Sequence, residues 1–362
     1  MSLETPYTPA IVVDQNILDA NIYSMAAFAE ENNLVLRPHA KTHKIGHIAH
    51  KQLAAGSPGL SVATVGEAEY FFNQGISDLF ISYPLWVDPH SGKVLTRLAT
   101  EGTLAIGTDS VTAVHRLADV TAQHPDIIIM IEINSGHNRS GVSAHQVVPI
   151  AEAVRKRHMT LGGVFTFPGH SYGPGEQNVA AEAEAKTLKS AEDYLREAGF
   201  EVSVLSGGSS PSAKATVAGG ATEIRPGVYV FGDAQQYELG RVGMEEISLT
   251  IVTTVVSRDE GSEDTPARII VDAGSKVLAA DRAHWATGHG RVPGHPEARI
   301  TGLSEHHGTI FWDSADLPEI GSRLHIIPNH VCVAVNLVDE IFVSDGQKVI
   351  DRWQVGARGM NS

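Results

Sequence analysis

Between residues 10 and 231 the chain alternates apolar, strand-like runs with helical stretches, and eight such runs are the number that closes a parallel barrel. The runs are Leu34–Pro38, Leu60–Ala63, Leu79–Ser82, Leu104–Gly107, Ile127–Ile133, Leu161–Phe165, Val202–Leu205 and Tyr229–Phe231. Helical segments such as Gln15–Glu31, Val65–Gln74, Ala144–Arg157 and Val179–Ala198 lie between or before them. Ile127–Ile133 is almost wholly apolar, as expected of a strand buried on both faces. Asp14 and Asp109 precede helical runs and are expected as N-caps. After residue 240 the texture changes to β-branched segments such as ISLTIVTTVVS and RLHIIPNHVCVAVNL, punctuated by Gly, Pro and Asp. The expected fold is a (β/α)8 TIM barrel over residues 8–240. An antiparallel β domain over 241–362, joined by residues 1–7, would follow it.

The 362 residues suffice for both domains, and 42% hydrophobic residues supply a core. A net charge of −15 repels phosphate backbones and anionic lipids, so nucleic acid and membrane are poor partners. No basic-then-apolar leader opens the sequence, and no apolar run approaches the roughly 18 residues of a membrane span. The one cysteine, Cys332, forbids an intrachain disulfide and fits a reducing cytoplasm.

The segment LRPHAKTHK (36–44) ends the first barrel strand. A lysine there points into the mouth where barrel chemistry sits, and a desolvated amine can join an aldehyde cofactor. RPHAKTHK resembles the cofactor-lysine motif of the D-threonine aldolase and D-serine dehydratase family. These are fold-type III pyridoxal 5'-phosphate enzymes related to alanine racemase. The resemblance makes Lys41, and not Lys44, the Schiff-base residue.

Further segments follow in the family's order. EINSGHNRSG (132–141) implies Arg139 against the cofactor's phenolic oxygen. FPGHSYG (167–173) implies His170 as general base and Tyr172 as a ring or substrate contact. SGGSSPS (206–212) follows the seventh strand, where barrels commonly hold phosphate. Ser206, Gly207, Gly208 and Ser209 are therefore the expected phosphate loop. EIRPGVYVFGD (223–233) resembles the family and the RPG segment of alanine racemases, placing Gly227, Val228 and Tyr229 near the phosphate. Arg225 would lie against the pyridine nitrogen; the plainer alternative is a rim arginine paired with Glu223.

In the last domain, IIPNHVCVAV (326–335) sets His330 and Cys332 two apart. Read as a strand, this spacing puts imidazole and thiolate on one face. Nitrogen and sulfur together suit zinc. The resemblance implies a divalent ion at this pair, zinc in the cysteine version and manganese in the carboxylate version usual among aldolases. His306, His307 and Asp272 also lie in family-like segments. Asp272 is either a ligand-orienting group or a strand-end turn residue.

The implied activity is a metal-dependent lyase of D-β-hydroxy amino acids. The histidine of GHSYG puts a D-threonine aldolase first. D-serine dehydratase and 3-hydroxy-D-aspartate lyase or dehydratase are the alternatives. A racemase would need a tyrosine base from the β domain, and no tyrosine follows Tyr237. A non-enzymatic regulator of cofactor balance would lack the roughly 120 residues after 240. A homodimer is implied by the resemblance alone.

Overall fold

A computed structural model describes residues 5–312 and 316–362. Residues 1–4, part of the segment expected to join the β domain, lie outside the described residues. The chain divides into two compact units. A barrel unit holds Ser24–Lys41, Ile48–Gly227 and Gly359–Ser362. A β unit holds the segment ending at Tyr23, together with Thr42–His47 and Val228–Arg358.

The first strand, β1 (Ala10–Asp14), belongs to the sheet of the β unit, although the sequence places it at the head of the barrel segment. The barrel strands follow: β2 (Val35–Leu36), β3 (Leu60–Val62), β4 (Asp78–Pro84), β5 (Thr103–Thr108), β6 (Ile127–Glu132), β7 (Thr160–Phe165), β8 (Val204–Gly207) and β9 (Glu223–Ile224). All eight pair in parallel, in the order β2-β9-β8-β7-β6-β5-β4-β3. The two edges meet at a parallel bridge between His39 and Ser61, where Ser61 N–H donates to Pro38 O at 2.8 Å. This is the (β/α)8 architecture, with seven of its strands overlapping the expected apolar runs. The eighth differs. Tyr229–Phe231 was expected as a strand, but Val228–Val230 is a turn of 3-10 helix and Glu223–Ile224 takes the eighth place. The run is buried and apolar either way, and periodicity alone cannot separate such cases.

Phe80, Met130 and Phe165, from β4, β6 and β7, pack together inside the barrel, with the two phenyl rings edge-to-face at 5.1 Å. Burying each such side chain contributes about 2–3 kcal/mol. Capping fixes where the helices begin. Asp14 accepts from the N–H of Asn16 and Ile17, as expected. Asp109 does not cap its helix. Ser110 does so by accepting from Ala113 N–H, while Asp109 accepts from Gly141 N–H at 3.1 Å.

The β unit contributes β10 (Leu249–Asp259), β11 (Arg268–Val271), β12 (Gly290–Val292), β13 (His295–Leu303), β14 (Gly308–Phe311), β15 (Arg323–Pro328), β16 (Glu340–Ser344) and β17 (Val349–Gln354). Strands β10, β11, β14, β13, β12 and β15 close an antiparallel six-stranded ring, since β11 pairs with both β10 and β14. β1 extends it, antiparallel to β10 and parallel to β16. Among the described residues no helix is long and apolar enough to cross a membrane.

Asp272 is a fastening of this unit. Its carboxylate accepts from Thr8 Oγ1 at 2.6 Å, Thr253 Oγ1 at 2.5 Å and Thr254 N–H at 2.9 Å. Three donors take up most of the roughly four acceptor sites of a carboxylate, which accounts for the residue structurally. Asp272→Ala is expected to cost about 3 kcal/mol, because it strands partly buried donors. The denaturation midpoint measures this, and an unchanged midpoint would refute it.

Candidate active site

Lys41 lies in a turn of 3-10 helix, Ala40–Thr42, just after β2. Its Nζ donates to Tyr83 Oη at 2.6 Å and lies 5.3 Å and 5.7 Å from the ring centroids of Tyr83 and Phe167. The Arg139 guanidinium sits 4.9 Å from each of the same two rings. The Arg139 guanidinium thus has two aromatic rings within cation–π reach, while Lys41 Nζ meets Tyr83 at its hydroxyl end and not over its face.

The loop after β6 presents Arg139. Asn134 Oδ1 accepts from the N–H of Gly136 and Asn138, whose φ angles of 120° and 58° explain a glycine and an asparagine at these positions. Glu132, the last residue of β6, lies 3.7 Å from Arg139. Burial pushes its carboxyl above the ordinary range, and Oε2 is buried without a hydrogen-bond partner.

His170 and Tyr172 share the 3-10 turn Gly169–Tyr172 after β7. His170 Nδ1 is likewise buried without a partner. The Tyr172 ring lies 6.3 Å from that of Phe167. His137 packs edge-on to Phe167 at 5.5 Å, and burial, then Arg139 and His170, hold its pKa below the usual imidazole value.

Arg225 is buried, and one nitrogen donates to Thr166 O at 2.6 Å while another donates to Ser206 Oγ. Ser206 Oγ in turn donates to Glu223 at 2.5 Å, Glu223 accepts from Arg37 at 2.8 Å, and Arg37 pairs with Asp78 at 2.7 Å. Burial lowers the pKa of Arg225, while Glu223, Glu184 and Glu132 work against that. Its contact with Glu223 therefore runs through a serine. Ser206 belongs to β8 and is committed to this network.

Of the expected phosphate loop, Gly207 passes so close to Glu184 that a Cβ would sit 2.6 Å from its carboxyl carbon. Gly208 N–H donates to Glu184 at 2.9 Å, and Ser209 N–H donates to Ser212 Oγ at 3.0 Å. Ser209 Oγ is also 2.9 Å from the hydroxyls of Ser171 and Ser212. Gly227 ends the barrel unit's main segment, and Tyr229 is buried in the β unit.

In the β unit, His330 and Cys332 do converge, but not on a strand. β15 stops at Pro328, and His330 is the N-cap of the short helix Val331–Asn336, with Cys332 in its first turn. Pro328 cannot donate to a ladder, which ends the strand although the residues beyond are β-branched. His330 Nδ1 is 2.5 Å from Asp281 Oδ2, and the Cys332 thiol is within hydrogen-bond reach of the same ring and donates to Thr42 Oγ1 at 3.3 Å. Burial alone would lower the pKa of His330; Cys332, Asp281 and Asp233 hold it well above the usual value. Asp233 accepts from the N–H of Gln236 and Val331, and burial pushes its carboxyl up to about 6. A carboxylate behind one imidazole nitrogen, with sulfur beside the ring, is a donor set that suits a zinc-type ion. Among the described residues, no three His, Cys, Asp or Glu side chains are grouped to hold a metal by themselves. His306 and His307 lie in an exposed turn between β13 and β14.

Sequence reasoning missed Tyr83, His137, Phe167 and Asp281. Tyr83 had a usable signal, since it sits near the C-terminal end of a barrel strand.

Residues 13–235 match the alanine racemase N-terminal domain, and residues 248–344 match the putative serine dehydratase domain. The chain belongs to the alanine racemase N-terminal domain family. Its relatives include the D-threo-3-hydroxyaspartate dehydratase of Delftia sp., 34% identical over 91% of this chain and 92% of that one. They also include the D-threonine aldolase of Arthrobacter sp., 30% identical over 98% and 93%. The crystal structure of the D-threonine aldolase of Filomicrobium marinum superposes with a TM-score of 0.87, at 28% identity over 98% of this chain and 96% of that one. Structures of D-threo-3-hydroxyaspartate dehydratase include a histidine-to-alanine variant and, two positions further on, a cysteine-to-alanine variant in a metal-free form. Aldolases and dehydratases are both lyases, and the chain is an enzyme of that family.

Glu184 gives this site a measurable pH signature. Burial raises its carboxyl to about 7, against the pull of Gly208 N–H, Thr216 and Arg225. The folded-state value lies above the unfolded one, so the stability tied to the neutral form is complete below about pH 4.5 and is lost as pH rises through about 7. Glu184→Gln is expected to flatten the fall in stability between pH 5 and 8 by an amount on the order of 3 kcal/mol. Parallel curves for the two proteins, read from denaturation midpoints, would count against it.

Proposed function

We propose that this chain is a pyridoxal 5'-phosphate- and divalent-metal-dependent lyase of D-β-hydroxy amino acids, and that it dehydrates a 3-hydroxy-D-aspartate-type or D-serine-type substrate. The observation that carries this reading is the convergence of His330 and Cys332, with the same spacing as the two varied residues of D-threo-3-hydroxyaspartate dehydratase. The sequence alone put the aldolase first; this match puts it second.

The barrel unit supplies the groups a flat, anionic aldehyde cofactor needs. These are a partly exposed amine at Lys41, the Arg139 guanidinium against two rings, and an inward-facing Arg225. When bound, the cofactor supplies a conjugated sink for electrons from a bond broken at the substrate α carbon, and the metal supplies a Lewis acid for the β oxygen. Lys41 Nζ would hold the aldehyde cofactor, and its place just after β2 would suit it to moving a proton at the substrate α carbon. Arg139 fixes ring orientation as a permanent cation, and Tyr172 with Phe167 walls the site. Arg225 does not surrender its proton, so toward the cofactor it would offer a donor and not a base. His330 and Cys332 would hold a divalent ion, with Asp281 setting the imidazole's orientation.

The second reading, a D-threonine-type aldolase, draws on His170. Its buried, unpartnered Nδ1 is a base available for a substrate hydroxyl proton. A cytoplasmic homodimer belongs to the same proposal, and light scattering on the purified protein checks its oligomeric part.

The deciding experiment incubates the enzyme with D-threonine, D-serine and D-threo-3-hydroxyaspartate, with added zinc, added manganese, or EDTA. Keto acid and ammonia are the expected products, lost on chelation. Glycine with aldehyde as the dominant products would overturn the dehydratase in favour of the aldolase. Lys41→Ala is expected to abolish turnover and the protein-bound cofactor band. Cys332→Ala is expected to lower bound metal, measured by elemental analysis, while that band stays. Under the aldolase reading, His170→Ala would lower kcat by about 10²–10⁴; a dehydratase should lose much less.

A further inference from the structure

The pairing of β4 with β5 slips in register between Ile81 and Pro84, so Ser82 and Tyr83 fall inside an irregularity of the strand. In a regular strand two successive side chains point to opposite faces. Here both reach the same neighbouring segment. Ser82 Oγ lies 3.3 Å from His39 Nε2, and Tyr83 Oη accepts from Lys41 Nζ at 2.6 Å. Bulges of this kind re-aim side chains and are enriched beside active sites.

The Tyr83 ring is held independently of the lysine. His39 packs against it edge-on at 5.9 Å, and the Arg139 guanidinium covers it at 4.9 Å. Lys41, by contrast, carries its amine on a flexible four-carbon stem with roughly 2 kcal/mol of rotamer entropy. A fixed phenol that meets a mobile amine decides where the amine rests.

We propose that Tyr83 is a positioning residue for Lys41: its hydroxyl fixes the ε-nitrogen at one point of the barrel mouth whenever that nitrogen is not committed to the cofactor. The phenol serves both protonation states of the amine. Its oxygen accepts from the ammonium, and its O–H donates to the neutral amine's lone pair. The role rests on the reading of Lys41 as the cofactor lysine, and it adds to that reading a residue that controls cofactor capture and the return of the amine after each turnover.

The test uses the full-length protein, stripped of cofactor and reloaded with pyridoxal phosphate. The loading rate is followed by absorbance from pH 6 to 10, and the dissociation constant is taken by equilibrium dialysis. Tyr83→Phe keeps the ring and its contacts with Arg139 and His39 but removes the hydroxyl. The expected result is about tenfold slower loading, equivalent to about 1.4 kcal/mol, with a displaced pH profile and an unchanged melting temperature. Loading at the wild-type rate with the wild-type profile overturns the proposal. If Tyr83→Phe melts early, 3-fluorotyrosine at position 83 preserves shape while changing the phenol's acidity. A loading profile that fails to move with that acidity then overturns it. Borohydride reduction followed by peptide mapping keeps the two readings apart. Cofactor fixed at Lys41 with an unaffected Tyr83→Phe sinks only the positioning role, whereas cofactor fixed elsewhere sinks the reading of Lys41 itself.

Discussion

A guanidinium buried inside a barrel is costly unless every donor finds a partner, and Arg225 is such a group. Its satisfaction organises the rest of the barrel unit. Thr166, following β7, takes one nitrogen, and Ser206 of β8 takes another. Ser206 passes the contact to Glu223 of β9, which receives Arg37 from the end of β2, which pairs with Asp78 at the start of β4. One polar chain therefore ties five strands together and threads the seam where the sheet closes. The carboxylates that stabilise Arg225 also pin the ends of the strands from which the mouth residues project. Removing one member leaves a buried charge without compensation, and the damage is expected to spread beyond that residue.

The architecture was largely legible because it rests on local signals. Runs such as IIIMIE are apolar on both faces, and helix starts carry Asp14 or Thr64 in capping positions. What stayed hidden depends on partners distant in sequence. β1 looks like a barrel strand by composition, yet its neighbours are β10 and β16. Tyr229–Phe231 reads as a strand because burial, not pairing, selected its residues. His330 and Cys332 were singled out on strand geometry, and a helix cap brings them together instead.

The site was legible in the same uneven way. Motif spacing pointed to Lys41, Arg139 and His170, which follow the barrel strands β2, β6 and β7. It could not reveal the aromatic walls, because Tyr83 carries no motif and Phe167 only opens FPGHSYG with no role attached, and both matter through contacts with Lys41 and Arg139 that no spacing shows. Nor could it show that Ser206 and Gly208 are engaged within the protein, since a glycine-serine turn has the same sequence whether it faces an anion or a buried glutamate.

The placement of β1 also bears on the order in which the chain can be assembled. Ala10 pairs with Val252, and Val12 pairs with both Thr250 and Phe342. On the ribosome this strand emerges ahead of the barrel strands and waits through their synthesis before either neighbour, β10 or β16, exists. During that interval its apolar AIVVD edge is an open template for pairing with another nascent copy. The helix that follows directly, Gln15–Glu31, can form at once from local hydrogen bonds. A protein wired in this way leaves β1 without its partners until β10 and β16 have been made, so conditions that keep copies apart during that interval favour correct assembly.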